Sequence, residues 1–198
     1  ILLGDDLQRV AHAAGQDARI QDGNGGGFDR SPCGVFGKGG KGQADEGGNG
    51  ELDHFRTPGA LGADRTQCNC ETCNTHNMLK LAEGLFFVTG EKKYMDFYER
   101  TFYNAILGSQ NPETGMTMYF QPMAAGYFKT YSTPFENFWC CTGTGMENFT
   151  KLNSAIYHTG ENRLYVNLYL ASVLHDEKLN LDLIQKTDLN YFDSVQLS

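Results

Sequence analysis

The chain has 198 residues, of which 40% are hydrophobic and 12% aromatic, and its 24 acids against 16 bases leave a formal charge of −8. That composition is globular and long enough to bury a core, and no apolar run approaches the roughly 18 residues of a membrane helix. The acidic balance, without a clustered basic face, argues against nucleic acid as a partner, and the hydropathy argues against a membrane.

The chain opens Ile1-Leu2-Leu3-Gly4, with neither an initiator Met nor a basic-then-apolar leader. At the other end Leu181-Asp182-Leu183-Ile184 and Ser194-Val195-Gln196-Leu197 alternate as strands do, and the pattern is still running where the sequence stops. Both features predict an internal segment of a longer protein. Residues 15–50 hold more than half of the 24 glycines and have no periodicity. Burial in such a segment cannot offset its ordering entropy. Its Gly37-Lys38-Gly39-Gly40-Lys41-Gly42 run lacks both the spacing of a phosphate loop and a preceding strand.

From Thr72 the texture changes. Met78, Leu79, Leu81, Ala82, Leu85 and Phe86 recur at helical spacing up to Thr89-Gly90, where glycine suits a C-cap. Tyr94, Phe97, Tyr98, Phe102, Ala105 and Ile106 predict a second helix, ended by the turn residues Asn111 to Gly115, so the pair makes a helical hairpin. Met116–Gln121 and Tyr127–Ser132 suggest short extended segments around Pro122. A third helix is expected from about Gly145 to His158, with Gly143-Thr144-Gly145 as the bend into it. Beyond Gly160, Leu164 to Leu170 alternate as a strand, and Leu179 to Leu183 repeat the alternation after a turn at His175 to Lys178. Helices followed by strands predict a mainly α fold, residues 51–160, joined to the start of a β-sandwich, residues 161–198.

Five of the six cysteines fall in two tight groups, Cys68, Cys70 and Cys73, then Cys140 and Cys141. Adjacent cysteines bridge each other poorly, whereas two neighbouring thiolates can reach one soft cation. Zinc takes four ligands, typically as two close pairs. Glu71 and Cys73 with Cys140 and Cys141 form one such set. Cys70 and Cys73 with Cys140 and Cys141 form another, a purely structural site, and buried free thiols are the plain alternative to both.

Three strings carry a resemblance. Glu71-Thr72-Cys73-Asn74-Thr75-His76-Asn77-Met78-Leu79-Lys80-Leu81, then Tyr98-Glu99-Arg100-Thr101-Phe102-Tyr103-Asn104, then Phe138-Trp139-Cys140-Cys141-Thr142-Gly143-Thr144-Gly145-Met146-Glu147-Asn148 resemble the β-L-arabinofuranosidase group, glycoside hydrolase families 127 and 146. The likeness runs from about Gly47 to the C-terminus and does not extend through residues 12–46. It implies part of an (α/α)6 barrel, too short here to make the whole twelve helices, and a Zn2+ held by Glu71, Cys73, Cys140 and Cys141. In that chemistry Cys140 is also the nucleophile, in place of one of the usual two carboxylates.

The resemblance further implies a proton donor in a Glu-x-Phe setting upstream of the zinc glutamate. The matching position in Gly50-Glu51-Leu52-Asp53-His54-Phe55 is Asp53, one methylene shorter, and Glu51 is the other candidate. Glu99 and Tyr119 match sugar-contacting positions, although by themselves they suggest a solvated helix acid and a strand aromatic. Trp139 suits either a sugar-stacking wall or core packing, and His54 and His76 suit structural hydrogen bonding better than ligation. The implied partner is a carbohydrate, an L-arabinofuranoside of plant origin. Unpaired zinc-binding thiols point to a reducing cytoplasm.

Overall fold

A computed structural model describes residues 50–54, 65–187 and 195–198. The glycine-rich stretch before Gly50 and the sixth cysteine, Cys33, lie outside the described residues. The chain divides into two compact units, Ile1–Phe149 and Thr150–Ser198.

In the first unit helix α1 spans Thr72–Thr89, with the start and stop that its periodicity predicts. Thr75, Met78, Leu79, Ala82, Leu85 and Phe86 are its buried stripe. Gly90 closes the helix at φ 67°, its N–H donating to the Phe86 carbonyl at 2.7 Å, a left-handed cap that costs glycine nothing. Helix α2, Lys92–Thr101, packs on α1 through Tyr94, Met95, Phe97 and Tyr98. The expected continuation to Ile106 is helical but widens to a π-helix over Phe102–Leu107. Side chains reach its carbonyls, with Gln121 Nε2 donating to Ala105 and the Ser109 hydroxyl to Ile106. The turn after it forms as expected. Asn111 Oδ1 accepts from the Glu113 and Thr114 amides, and Gly115 sits at φ 73°.

The extended segments predicted around Pro122 do not form strands. They contribute single bridges, Gln110 with Thr117, Met118 with Tyr131 and Asn69 with Gln121. The Met118 and Tyr119 carbonyls are taken by a helix start instead: the Thr72 hydroxyl donates to Met118 at 2.8 Å and the Thr72 amide to Tyr119 at 3.0 Å.

The third helix, α3, spans Cys140–Ile156, so it begins at the cysteine pair and not at Gly145. The Gly143-Thr144-Gly145 stretch is helical rather than a bend. Its glycine serves close approach, since a Cβ at Gly145 would lie 2.7 Å from Thr117 Cγ2. No helix among the described residues is long and apolar enough to cross a membrane.

The second unit holds two antiparallel sheets. Strands β1, Tyr157–Thr159, and β2, Leu164–Val166, pair with Tyr157 opposite Val166 and close at Gly160, whose amide donates to Arg163 at 2.8 Å. Strands β3, Ser172–Asp176, β4, Leu181–Thr187, and β5, Val195–Leu197, form the other sheet in that order. The strand expected through Leu170 stops at Val166, because buried Gln185 in β4 takes the Leu168 carbonyl through Nε2 at 2.9 Å, replacing a ladder partner. His175 and Asp176 belong to β3 and not to the turn, and His175 faces Asp182 across the pair. The turn falls on residues 177–180, where Asn180 has φ 47°.

Gly145→Ala sets two effects against each other: a helical alanine gains roughly 1 kcal/mol in propensity, whereas overpacking against Thr117 costs roughly 1–3 kcal/mol. The neighbour is the branched Cβ of Thr117, not a flexible chain end. The expected result is a net loss of about 1 kcal/mol in denaturant unfolding. A gain in stability would show that α3 does not approach Thr117 this closely.

Candidate functional site

Three of the cysteines come to rest on first turns of helices, while Cys68 and Cys70 precede α1. Glu71 is the N-cap of α1 with Cys73 just inside it, and Cys140 and Cys141 open α3. Helical side chains lean toward the N-terminus, so both sets project from helix starts. The Thr72 bonds to Met118 and Tyr119 fix one start, and the Gly145 contact with Thr117 fixes the other against the same extended segment.

The ligand atoms of Glu71, Cys73, Cys140 and Cys141 all lie within 4.8 Å of one another. Cys141 Sγ is 3.3 Å from Cys73 Sγ and 3.8 Å from Glu71 Oε1. Tetrahedral ligands about 2.3 Å from a zinc ion stand roughly 3.8 Å apart, so the spacing and the three-sulfur, one-carboxylate donor set suit such an ion. Cys70 is outside this cluster, buried, with φ 50°. The four-cysteine set therefore does not converge among the described residues. All five described cysteines are free thiols.

Burial favours the protonated thiol at Cys73 and Cys141. Burial pushes the Cys73 thiol from 9.0 up to about 11, against the opposing hydrogen bond from the Thr144 hydroxyl, whose Oγ1 is 3.2 Å from the sulfur. Burial raises Cys141 further, helped by its contact with Cys73. The positive ends of α1 and α3 favour thiolate by only about 0.3–1 kcal/mol each, less than this desolvation. A bound divalent cation reverses the balance, because a coordinating thiol is deprotonated.

At the edge of the cluster the Glu71 carboxyl is raised by burial and then by the charge of Asp53, with which it shares a hydrogen bond. The Tyr119 hydroxyl donates to Asp53 Oδ2 at 3.3 Å. Burial raises the Tyr119 phenol, and the neighbouring Asp53 and Glu71 carboxylates raise it further, so it remains a donor to Asp53. Of the two candidate acids, Asp53 therefore reaches the cluster. Glu51 supplies main-chain pairing, its N–H donating to the His54 carbonyl at 2.9 Å and the reverse bond measuring 3.0 Å. Glu99 lies on α2, partly buried and raised by burial and then Asp96, outside the cluster.

Trp139 stands edge-on to Tyr119 with ring centroids 6.0 Å apart. Both line a cleft of about 270 Å3 with Phe120, Tyr127 and Phe128. His76 is structural: Asn148 Nδ2 donates to the Thr144 carbonyl at 2.7 Å, which leaves Asn148 Oδ1 to accept from His76 Nδ1 at 3.1 Å. That link ties α1 to α3, about one turn beyond Cys73 on α1 and two turns beyond Cys141 on α3. Thr144 and Asn148 fall within the Phe138 to Asn148 string that carries the resemblance, but their residue types alone do not assign them these bonds.

The model of the β-L-arabinofuranosidase GH127 catalytic domain matches residues 43–154, more than half of the chain. The chain belongs to this glycoside hydrolase family. Solved structures agree in fold. A GH127 β-arabinofuranosidase superposes with a TM-score of 0.65 at 23% identity, over 77% of this chain and 24% of that one. Ara127N-Se, a GH127 β-L-arabinofuranosidase from Geobacillus stearothermophilus T6, gives 0.61 at 20% identity, over 96% and 32%. A further glycoside hydrolase gives 0.57 at 22% identity, over 67% and 24%. This GH127 chain thus spans from 24% to 32% of the length of those structures. No curated protein matches it.

Two outcomes test the cluster. Glu71→Gln is expected to weaken zinc binding on the order of 100-fold, one ligand's share of a four-ligand site, while Cys70→Ser leaves it within about twofold, as read by competition with a chromophoric chelator. Equal losses would restore the four-cysteine set. For pH, Cys73 is raised in the folded state, so its contribution to metal-free stability is complete below about 9 and disappears as pH rises through about 11. Melting scans across that window should show the metal-free protein weakening with pH more than the zinc-loaded one.

Proposed function

We propose that the natural protein is a retaining glycoside hydrolase that releases β-L-arabinofuranose, or a similar furanoside, from plant polymers or glycoproteins. The observation that carries this reading is Asp53 at the edge of the Glu71, Cys73, Cys140 and Cys141 cluster, in a chain of family 127. A purely structural metal module has no need of an acid there. The helices would be part of an (α/α)6 barrel, and the antiparallel strands the start of a β-sandwich.

The four cluster residues would hold zinc, which supplies thiolate character at neutral pH. Cys140 is the exposed member of the cluster and opens α3, so it is the sulfur a sugar can reach, whereas Cys141 is fully buried. In the first step the Cys140 sulfur bonds to the anomeric carbon, the glycosidic C–O bond breaks, and Asp53 gives its proton to the departing oxygen. Water then attacks the same carbon from the opposite side, its proton passes to the Asp53 carboxylate, and the C–S bond breaks. Two inversions give retention. Tyr119 holds Asp53 by its hydroxyl and presents its ring to the sugar with Trp139, and Glu99 is assigned a sugar contact from the family pattern. Five free thiols suit a reducing compartment such as the cytoplasm.

Purified natural protein should contain about one zinc per chain and release arabinose with retained configuration, followed by NMR of the fresh product. Asp53→Asn should lower turnover on a poor leaving group by about 100-fold or more while zinc content holds. Unchanged turnover would remove Asp53 as the donor, and inverted product would remove the thioglycosyl route.

A further inference from the structure

We infer that Asn69 is the positioning residue for the Asp53 carboxyl, an inference that rests on the glycosidase reading only for its kinetic consequence. Asp53 sits in a turn, residues 50–54, that packing does not hold: Leu52 is 49% exposed, and Asp53 and His54 are exposed as well. Leu52 and Asp53 both lie in the left-handed region, at φ 49° and 62°. Non-glycine residues stay there only when their surroundings fix them. What fixes them is hydrogen bonding. The Leu52 amide donates to the Cys68 carbonyl at 3.0 Å, and the Gly50 carbonyl accepts from the Cys70 amide at 3.2 Å.

Asn69 lies between those two cysteines and is fully buried, at 0% exposure. Its side chain ties the acid turn to its own segment, and its main chain reaches a further one. Nδ2 donates to the Gly50 carbonyl at 3.2 Å, at the base of the acid turn, and Oδ1 accepts from the Thr66 amide at 2.6 Å. Its carbonyl accepts from the Gln121 amide at 2.8 Å, two residues from Tyr119, whose hydroxyl meets Asp53. The buried side-chain amide therefore braces the turn that bears Asp53, while the main chain of the same residue meets the extended segment that bears Tyr119. Glu71 is held separately, as the N-cap of a helix anchored through Thr72. Losing Asn69 should displace the acid and spare the metal ligands.

The kinetic signature follows from what a proton donor does. A leaving group of high pKa cannot depart unprotonated, whereas dinitrophenolate can. In the natural full-length protein, Asn69→Ser should lower kcat/KM for a methyl or other alkyl arabinofuranoside on the order of 10- to 100-fold, and for the dinitrophenyl glycoside by less than about threefold, with zinc content unchanged. Asn69→Asp, which keeps the acceptor for Thr66 and loses the donor to Gly50, should show the same split, and it stands in if the serine variant fails to fold. A general loss of structure would lower both substrates equally. Equal falls, no fall, or loss of zinc overturns the inference. Amide hydrogen exchange separates it from the glycosidase reading: at Leu52 and His54 exchange should quicken about tenfold or more in the variants while α1 is unchanged. Faster exchange in a protein that hydrolyses neither substrate would reject the glycosidase and keep the positioning role. Unchanged exchange would reject the positioning role whatever the activity.

Discussion

Everything at the site depends on two helix starts meeting one short piece of extended chain. Thr72 ties α1 to the Met118 and Tyr119 carbonyls, and Gly145 lets α3 come down on Thr117. Neither contact is chemical in the catalytic sense, yet together they bring a carboxylate and three thiols from two helices within 4.8 Å. Behind them the His76 and Asn148 pair fastens the same helices one to two turns further along. Sulfur and carboxylate groups with no opposite charge between them are held this closely because the scaffold, and not the cluster, sets the distance.

Much of the helical part was legible because its signals are local. The α1 stripe, the glycine cap at Gly90 and the asparagine turn at Asn111 each depend on neighbouring residues and form as the sequence suggests. Local reasoning fails where a distant side chain takes over a backbone group. Gln185 takes the Leu168 carbonyl and ends β2 early, and Thr72 uses carbonyls that would otherwise pair as strand. The start of α3 was misplaced for a related reason: two glycines look like a bend, but the one at Gly145 is required by a neighbour far along the chain. The π-helix has no sequence signal of this kind at all.

The ligand set was partly visible. Spacing alone admitted Cys70 as readily as Glu71, since both lie within three residues of Cys73. The structure separates them through backbone geometry, with Cys70 in a left-handed conformation and its side chain buried away from the cluster, and Glu71 at the helix start. For the acid, Asp53 and Glu51 are equally polar in sequence, and only the turn directs Asp53 to Tyr119. The hydroxyl of Thr144 at Cys73, and the buried amide of Asn69, show how supporting residues escape pattern reading. Their role is set by what stands opposite them, not by what they are.

The distance along the chain between the clustered sulfurs has a consequence for how a metal ion would reach them. Cys73 and Cys141 are 68 residues apart, so their meeting waits for the tertiary fold. Cys68, Cys70 and Cys73 are neighbours from the moment of synthesis, and an unfolded chain offers that local trio to any thiophilic ion first. Metal present too early would favour the wrong ligands and hold the chain away from its native state. The left-handed, buried placement of Cys70 removes that competitor once folding is complete, so an ion would find the Glu71, Cys73, Cys140 and Cys141 set only in a chain already folded.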